Sequence, residues 1–211
     1  MNLLKYLKHI NKGQSLTRIL MNFGFADFVL KGKVIDVGGG RSPDYFNYFK
    51  KEGEVEIQAV DGSIDHIDFE KDRLSFADNS VDTVICANVL EHIFNYNHLV
   101  GEIKRILRPQ GQLIGFVPFL INYHPDPHDY FRYTNEALNK ILKDNGFANT
   151  KIITIGSSPF FSNYNNLMNI FPKIMRTLIF VPCYILDRFY VYFRPEIKKR
   201  FPLGYIIYSI K

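Results

Sequence analysis

The 211-residue chain has the length of one compact domain, and its 46% hydrophobic and 22% charged residues exclude a collagen, a coiled coil or a generally disordered chain. Cys86 and Cys183 are too few and too far apart in sequence for a disulfide framework or a cysteine zinc site. The net charge of +5 is gathered at one end: from 173 to 211, eight Lys or Arg stand against Asp187 and Glu196, a local balance of +6. Such a basic, aromatic stretch suits anionic lipid, a phosphorylated partner or simply a solvated face. No nucleic-acid-binding motif accompanies it, so nucleic acid is not the expected partner.

In chain order, Leu3, Leu4, Leu7 and Ile10 recur at helical spacing between lysines, and 1–31 reads as a helical cap. The N-terminus carries no long apolar stretch with a small-residue cleavage site, which leads us to expect a cytoplasmic protein. Short apolar runs follow at 34–37, 55–60, 81–87 and 112–117, alternating with helix-like stretches, as parallel strands joined by crossover helices do. Leu99, Ile103, Ile106 and Leu107 form a helix stripe that stops near Arg108-Pro109. Beyond a Pro- and His-rich loop at 118–133, Thr134 is placed to cap a helix carrying Leu138, Ile141 and Leu142 and closed by Gly146. A strand at 152–155 is followed by an apolar, aromatic and basic insertion at 157–202, read as helical. The segment 204–211 returns as the last strand. The longest apolar run, 178–186, has about half of the roughly 20 residues that a spanning helix needs.

The chemistry is concentrated after the first strand. In KVIDVGGGRSPDYF three glycines lie between an apolar strand and a helix expected to start at Pro43, a context in which backbone N–H groups can approach a carboxylate or phosphate. A dinucleotide loop would need a third glycine where Pro43 stands, and a phosphate-binding loop would need Gly-Lys-Ser/Thr where the chain has Gly40-Arg41-Ser42. Both readings lose ground. Asp61 closes the second strand in IQAVDGS, about 20 residues after the glycines, where an acid can accept both hydroxyl protons of a ribose; a turn aspartate before Gly62 is the plainer alternative.

The motifs DVGGG, AVDGS, DFEKDRLSFADNSVDTVICANVLEH, EIKRILRPQGQLIGFVPF and YHPDPHDYFRYT occur in order between Lys33 and Gly146. In this order the chain resembles the class I S-adenosylmethionine-dependent methyltransferase superfamily, type 11 branch. The resemblance implies an α/β, Rossmann-like, doubly wound and mostly parallel seven-stranded sheet with helices on both faces, in a single domain whose cofactor core is 33–155. It implies S-adenosylmethionine as cofactor, with Asp36, Gly38, Gly39 and Gly40 around its methionine portion, Asp61 with Gly62 at the ribose, Asp68 and Phe69 flanking the adenine, and Asn88 on the methionine side. Ser75 and Gln110 depart from the family pattern, where proline and glycine are usual.

Methyl transfer is an in-line displacement that rests on alignment, and a hydroxyl acceptor also benefits from a general base. His128 beside Asp129 is the first choice for that base. His92 and His124 are the other histidines at the carboxyl ends of strands, and all three can equally be hydrogen-bonding staples. Arg132 is placed to bind an acidic group of the acceptor or to pair with Asp129 or Asp126. His124 and His128 have the spacing of two metal ligands, but no third ligand is evident beside them, and no metal centre is expected. The PDPHDYFRYT loop resembles that of methyltransferases met in bacterial surface-polysaccharide assembly, which implies a saccharide hydroxyl, on a lipid carrier at the inner membrane face. With this stand two alternatives: a small aromatic or isoprenoid acceptor under a lid formed by 171–200, and a noncatalytic binding subunit that retains the fold.

Overall fold

The computed structural model describes residues 2–40, 43–156 and 158–211. Arg41 and Ser42 of the glycine segment, and Ser157 at the start of the expected insertion, lie outside the described residues.

The chain opens with two helices, α1 (Leu3–Asn11) and α2 (Leu16–Phe25), each started by a side-chain cap: Asn2 accepts from the Lys5 N–H and Ser15 from the Arg18 N–H. Six strands follow, β1 (Val29–Val37), β2 (Lys50–Val60), β3 (Val81–Ala87), β4 (Leu107–Pro118), β5 (Ala148–Ile155) and β6 (Gly204–Ile210). They form one sheet in the order β2-β1-β3-β4-β6-β5, in which β1 to β4 pair in parallel and β6 runs antiparallel to both β4 and β5. Every apolar run read as a strand is in this sheet.

The expected seventh strand is not found among the described residues. The stretch between β2 and β3 is built instead from turns, in which Asp61 and Asp68 side chains accept backbone N–H groups. Its apolar residues do not alternate; Phe69 and Leu74 plug the core singly. The sheet therefore ends at β2, and that edge carries Lys50, Lys51, Glu52, Glu54 and Glu56, charges that discourage pairing with another chain.

One face of the sheet is covered by α3 (Tyr96–Ile106) and α4 (Asn135–Asp144), whose Leu99, Ile103, Leu138 and Leu142 pack on Ile35, Val84 and Ile207. Thr134 caps α4 by accepting from the Ala137 N–H at 3.2 Å, and Gly146 follows at φ +73, as the residue types predicted. The other face is covered by α2, whose Met21 and Phe25 meet Tyr45, Phe49 and Phe116. The helix expected at Pro43 is reduced to a single tight turn, Asp44–Asn47, because α2 already occupies this face and the aromatics Tyr45 and Phe49 are drawn under it.

The C-terminal insertion is helical, with α5 (Pro159–Leu167) and the long α6 (Lys173–Phe193). These two join α1 and α2 in a separate core of Tyr6, Ile10, Ile19, Phe161, Tyr164 and Phe180. The two ends of the chain thus make one helical layer beside the carboxyl ends of the strands. No helix among the described residues is long and apolar enough to cross a membrane.

Candidate active site

Open parallel sheets bind ligands beyond the carboxyl ends of their strands. Here two cavities open at that edge, of about 380 Å³ and about 450 Å³, and Gly38, Asn88, His92 and Asp126 line both.

The first chamber is walled by Asp61, Gly62, Asp68 and Phe69, four of the positions expected to hold the cofactor. Asp61 Oδ1 accepts from the Ser63 and Ile64 N–H groups at 3.0 and 3.1 Å, the turn role foreseen as the alternative. Asp68 accepts from the Glu70 N–H and pairs with Lys71 at 2.8 Å, and these contacts hold its carboxyl below the usual range. Asn88 stands at φ +57 immediately after β3, a left-handed position that asparagine tolerates, and its N–H donates to the Phe116 carbonyl.

The glycine turn divides among its members. Gly38, at φ +76, lines both chambers, and a Cβ there would meet Val89 Cγ2 at 2.5 Å. Gly39 lines the second chamber, and a side chain on it would collide with the Asp36 carboxylate and the Tyr45 hydroxyl. Gly40 and Asp36, both expected at the cofactor, line neither cavity. Asp36 is fully buried beneath Gly39 and accepts a 2.7 Å hydrogen bond from the Tyr45 hydroxyl, so it supports the turn from behind.

Burial pushes the Asp36 carboxyl up from 3.8 to about 7, although the Tyr45 hydrogen bond pulls the other way. Because the folded value is the higher one, Asp36 favours folding most below the unfolded value, and that stabilisation is lost as pH rises toward about 7. Asp36→Asn keeps the shape and an acceptor for Tyr45 without the ionisable group. Its melting temperature is expected to exceed that of the parent by a margin that grows between about pH 4 and pH 7 and then levels. A margin independent of pH in thermal melts would contradict the assignment.

The second chamber is where sequence reading fell short. Its walls come from the helical layer and the loop after β4: Thr17, Arg18, Asn122, Asn165, Asn166 and Asn169, none of them anticipated. Thr17 is tied to Asn165 through both its N–H and its hydroxyl, at 3.0 Å each, across 148 residues. Only the run of asparagines in NYNNLMN hinted at a polar surface within an otherwise apolar insertion.

The catalytic expectations are rearranged. The His128–Asp129 pair does not form: His128 is exposed and lies against the Tyr130 ring on the cofactor side. Asp129 instead accepts both arms of the Arg132 guanidinium and the His124 N–H, which hold its carboxyl down at about 2. That pairing also consumes Arg132, so the acceptor role foreseen for it gives way to the alternative. His92 and His124 come together, ring centroids 5.1 Å apart, beside the buried Glu91, a residue that sequence reading passed over inside the LEH step.

A family model described as a methyltransferase domain matches residues 37–115. An uncharacterized protein of Methanocaldococcus jannaschii is 33% identical over 130 residues, covering 60% of this chain and 50% of that protein. Among solved structures, Haemonchus contortus phosphoethanolamine N-methyltransferase 2, in complex with phosphomonomethylethanolamine and S-adenosylhomocysteine, superposes with a TM-score of 0.55 at 14% identity over 92% of this chain and 52% of its own. An S-adenosylmethionine-dependent methyltransferase from Archaeoglobus fulgidus gives 0.51 at 16% over 97% and 94%, and the [4+2]-cyclase SpnF gives 0.53 at 14% over 92% and 81%. At these identities the structural likeness establishes the fold, and the cyclase is a reminder that one fold hosts several chemistries. The chain spans half the length of its curated relative. The matched segment runs from the end of β1 into β4 and contains Gly38, Asp61 and Asn88, so this part of the chain is similar to a methyltransferase domain, on a fold that the chain shares with S-adenosylmethionine-dependent methyltransferases.

Proposed function

We propose that this chain transfers the methyl group of S-adenosylmethionine to a hydroxyl of a saccharide borne on a lipid carrier, as a step of polysaccharide assembly. The observation that carries this reading is the meeting of the two chambers at Gly38, Asn88 and His92. The chamber with Asp61, Asp68 and Phe69 has an acid for a ribose diol and an aromatic for an adenine face. The other has the amides of Asn122, Asn166 and Asn169 together with Arg18, groups that hydrogen-bond many hydroxyls at once.

The acceptor oxygen attacks the methyl carbon as the carbon–sulfur bond breaks, the sulfonium becomes the thioether S-adenosylhomocysteine, and the hydroxyl proton departs. Holding donor and acceptor in line supplies much of the acceleration. His92, which lines both chambers, and His124, which lines the second, are the groups through which the acceptor hydroxyl is activated.

Two features support a lipid-borne acceptor. α6 exposes Ile174, Leu178, Ile185 and Phe189, and the exposed Lys173, Arg188, Arg194, Lys198, Lys199 and Arg200 lie on the same helix or in the turn that follows it, the composition of a helix lying on an anionic bilayer. Between α5 and α6 a cleft of about 220 Å³ has walls from Phe160, Leu167, Phe171 and Ile179, suited to an acyl or isoprenoid chain. The same cleft favours the second reading, a small isoprenoid acceptor without a sugar.

Calorimetric titration with S-adenosylmethionine and S-adenosylhomocysteine, with NAD as control, tests the cofactor. Folded protein that binds neither sulfur compound removes the transferase reading and brings the noncatalytic subunit forward. For the surface, the chain is expected to cosediment with vesicles containing phosphatidylglycerol, less so in high salt. Leu178→Glu with Phe189→Glu is expected to weaken partitioning by more than about tenfold, since burying one such side chain is worth about 1.5–3 kcal/mol. Equal partitioning of the two proteins would remove α6 from membrane contact.

A further inference from the structure

The Glu91 carboxylate is fully buried, and neither of its oxygens has a hydrogen-bond partner among the described residues. A bare carboxylate in such a place is costly unless a cation stands against it. Facing it are two imidazoles: Glu91 Oε1 is 3.7 Å from His92 Nε2 and 3.6 Å from His124 Nε2, beyond hydrogen-bonding length, and one ligand atom from each of the three residues falls within 4.8 Å of the others.

The outer nitrogens are held by neighbouring groups. His92 Nδ1 bonds the His128 carbonyl oxygen, and His124 Nδ1 faces the Asn122 carbonyl at 3.3 Å and Asp129 Oδ2 at 3.4 Å. The His128 oxygen only accepts, so His92 Nδ1 carries a proton, while His124 Nδ1 also lies 3.4 Å from the Arg132 guanidinium, a donor; with Nε2 unprotonated, both rings turn a lone pair toward Glu91. Acceptors then face an acceptor. A metal ion resolves this, and the outer bonds to a carbonyl and a carboxylate are the supports that metal-binding histidines usually have. The spacing agrees: ligands about 2.1 Å from a tetrahedral ion stand about 3.4 Å apart.

We propose that Glu91, His92 and His124 bind a divalent first-row transition-metal ion, of the Zn²⁺ or Mn²⁺ class, at the junction of the two chambers. Two imidazoles with one carboxylate favour such ions over the all-oxygen preference of Ca²⁺. Three protein ligands leave coordination positions for the acceptor, and His92 and His124 both line the polar chamber. Resting on the methyl-transfer reading, the ion's role is to bind the acceptor hydroxyl and lower its pKa, so that the proton leaves to solvent and the oxygen attacks as an alkoxide. A sugar with neighbouring hydroxyls, able to chelate the ion, is the acceptor class that this favours. Asp129 and Arg132 become positioning residues that hold the His124 ring.

The test is titration of the full-length, chelator-stripped protein with Co²⁺, read by its visible d–d bands, and with Mn²⁺, read by electron paramagnetic resonance. One equivalent is expected to bind. Glu91→Gln and His124→Ala, each checked for folding by circular dichroism, are expected to lose at least about 100-fold in affinity, because losing even a supporting partner of a ligand costs 10- to 100-fold. His66→Ala, which alters an exposed histidine outside the cluster, is expected to bind as the parent does. Absence of Co²⁺ binding by folded parent protein, or equal binding by Glu91→Gln and His124→Ala, would overturn the site in favour of protonated histidines paired with Glu91. S-adenosylhomocysteine titration of the same metal-free samples separates the two ideas: metal binding without cofactor binding leaves the site standing and removes the transferase reading.

Discussion

Asp61→Ala is expected to weaken S-adenosylmethionine binding by about 1.5–3 kcal/mol, roughly 10- to 150-fold, because hydrogen bonds to a charged acceptor are worth that much when lost. The position is well defined. Asp61 follows directly on β2, its Oδ1 is held by two backbone N–H groups of the next turn, and the side chain lines the cofactor chamber. The turn bonds create an ambiguity that the choice of variants resolves. Asp61→Asn retains an oxygen for the turn but loses the charge that a ribose diol would meet. If both variants lose affinity for S-adenosylhomocysteine while melting as the parent does, the residue acts on the ligand. If Asp61→Asn binds normally and Asp61→Ala melts early, the residue is a turn former and the ribose assignment fails.

Phe180→Ala is expected to cost about 3–5 kcal/mol of stability, the usual range for removing a buried aromatic ring, and to lower the melting temperature by roughly 6–20 °C. Phe180 has no exposed surface and lies at the centre of the helical layer, with its ring 5.3 Å from Tyr6, 5.8 Å from Phe161 and 5.1 Å from Tyr164. Those rings belong to α1, α5 and the same layer that carries Thr17 and Asn165 to the polar chamber. The cofactor chamber takes none of its walls from this layer. The functional loss should therefore fall on the acceptor: KM for the acceptor rises at a temperature where the variant is folded, while S-adenosylhomocysteine affinity changes little. An equal loss of both would mean that the layer supports the whole site and that the two chambers are not separable.

The contrast between these two residues follows how information lies in the chain. Asp61 was legible as a candidate because local rules mark its place: an apolar strand, a glycine turn, a second strand and then the acid. The same locality made the strands, the Thr134 cap and the Gly146 stop readable. Where a residue type allowed several outcomes, local rules did not decide. Asp36 stands in the same motif as Gly38, yet its side chain turns inward to the Tyr45 hydroxyl, a contact that depends on how the aromatic segment after the turn packs under α2. Gln110 is a related case. It takes φ +66 where the family prefers glycine, so the turn geometry persists although the residue type argues against it.

By itself the sequence determined the alternation of strands and helices, the order of the cofactor motifs and the helical nature of the insertion, because hydrophobic period, caps and glycine turns act over a few residues. Tertiary structure decided the rest. It ended the sheet at six strands, because the acidic stretch after β2 satisfies its backbone with its own side chains. It separated His128 from Asp129 and brought His124 across to Glu91 and His92, groups on two loops that meet only because β3 and β4 are neighbours in the sheet. It also closed the polar chamber with Thr17 and Asn165 from opposite ends of the chain. Side-chain convergence over such separations is set by the packing of whole elements, and no local period records it.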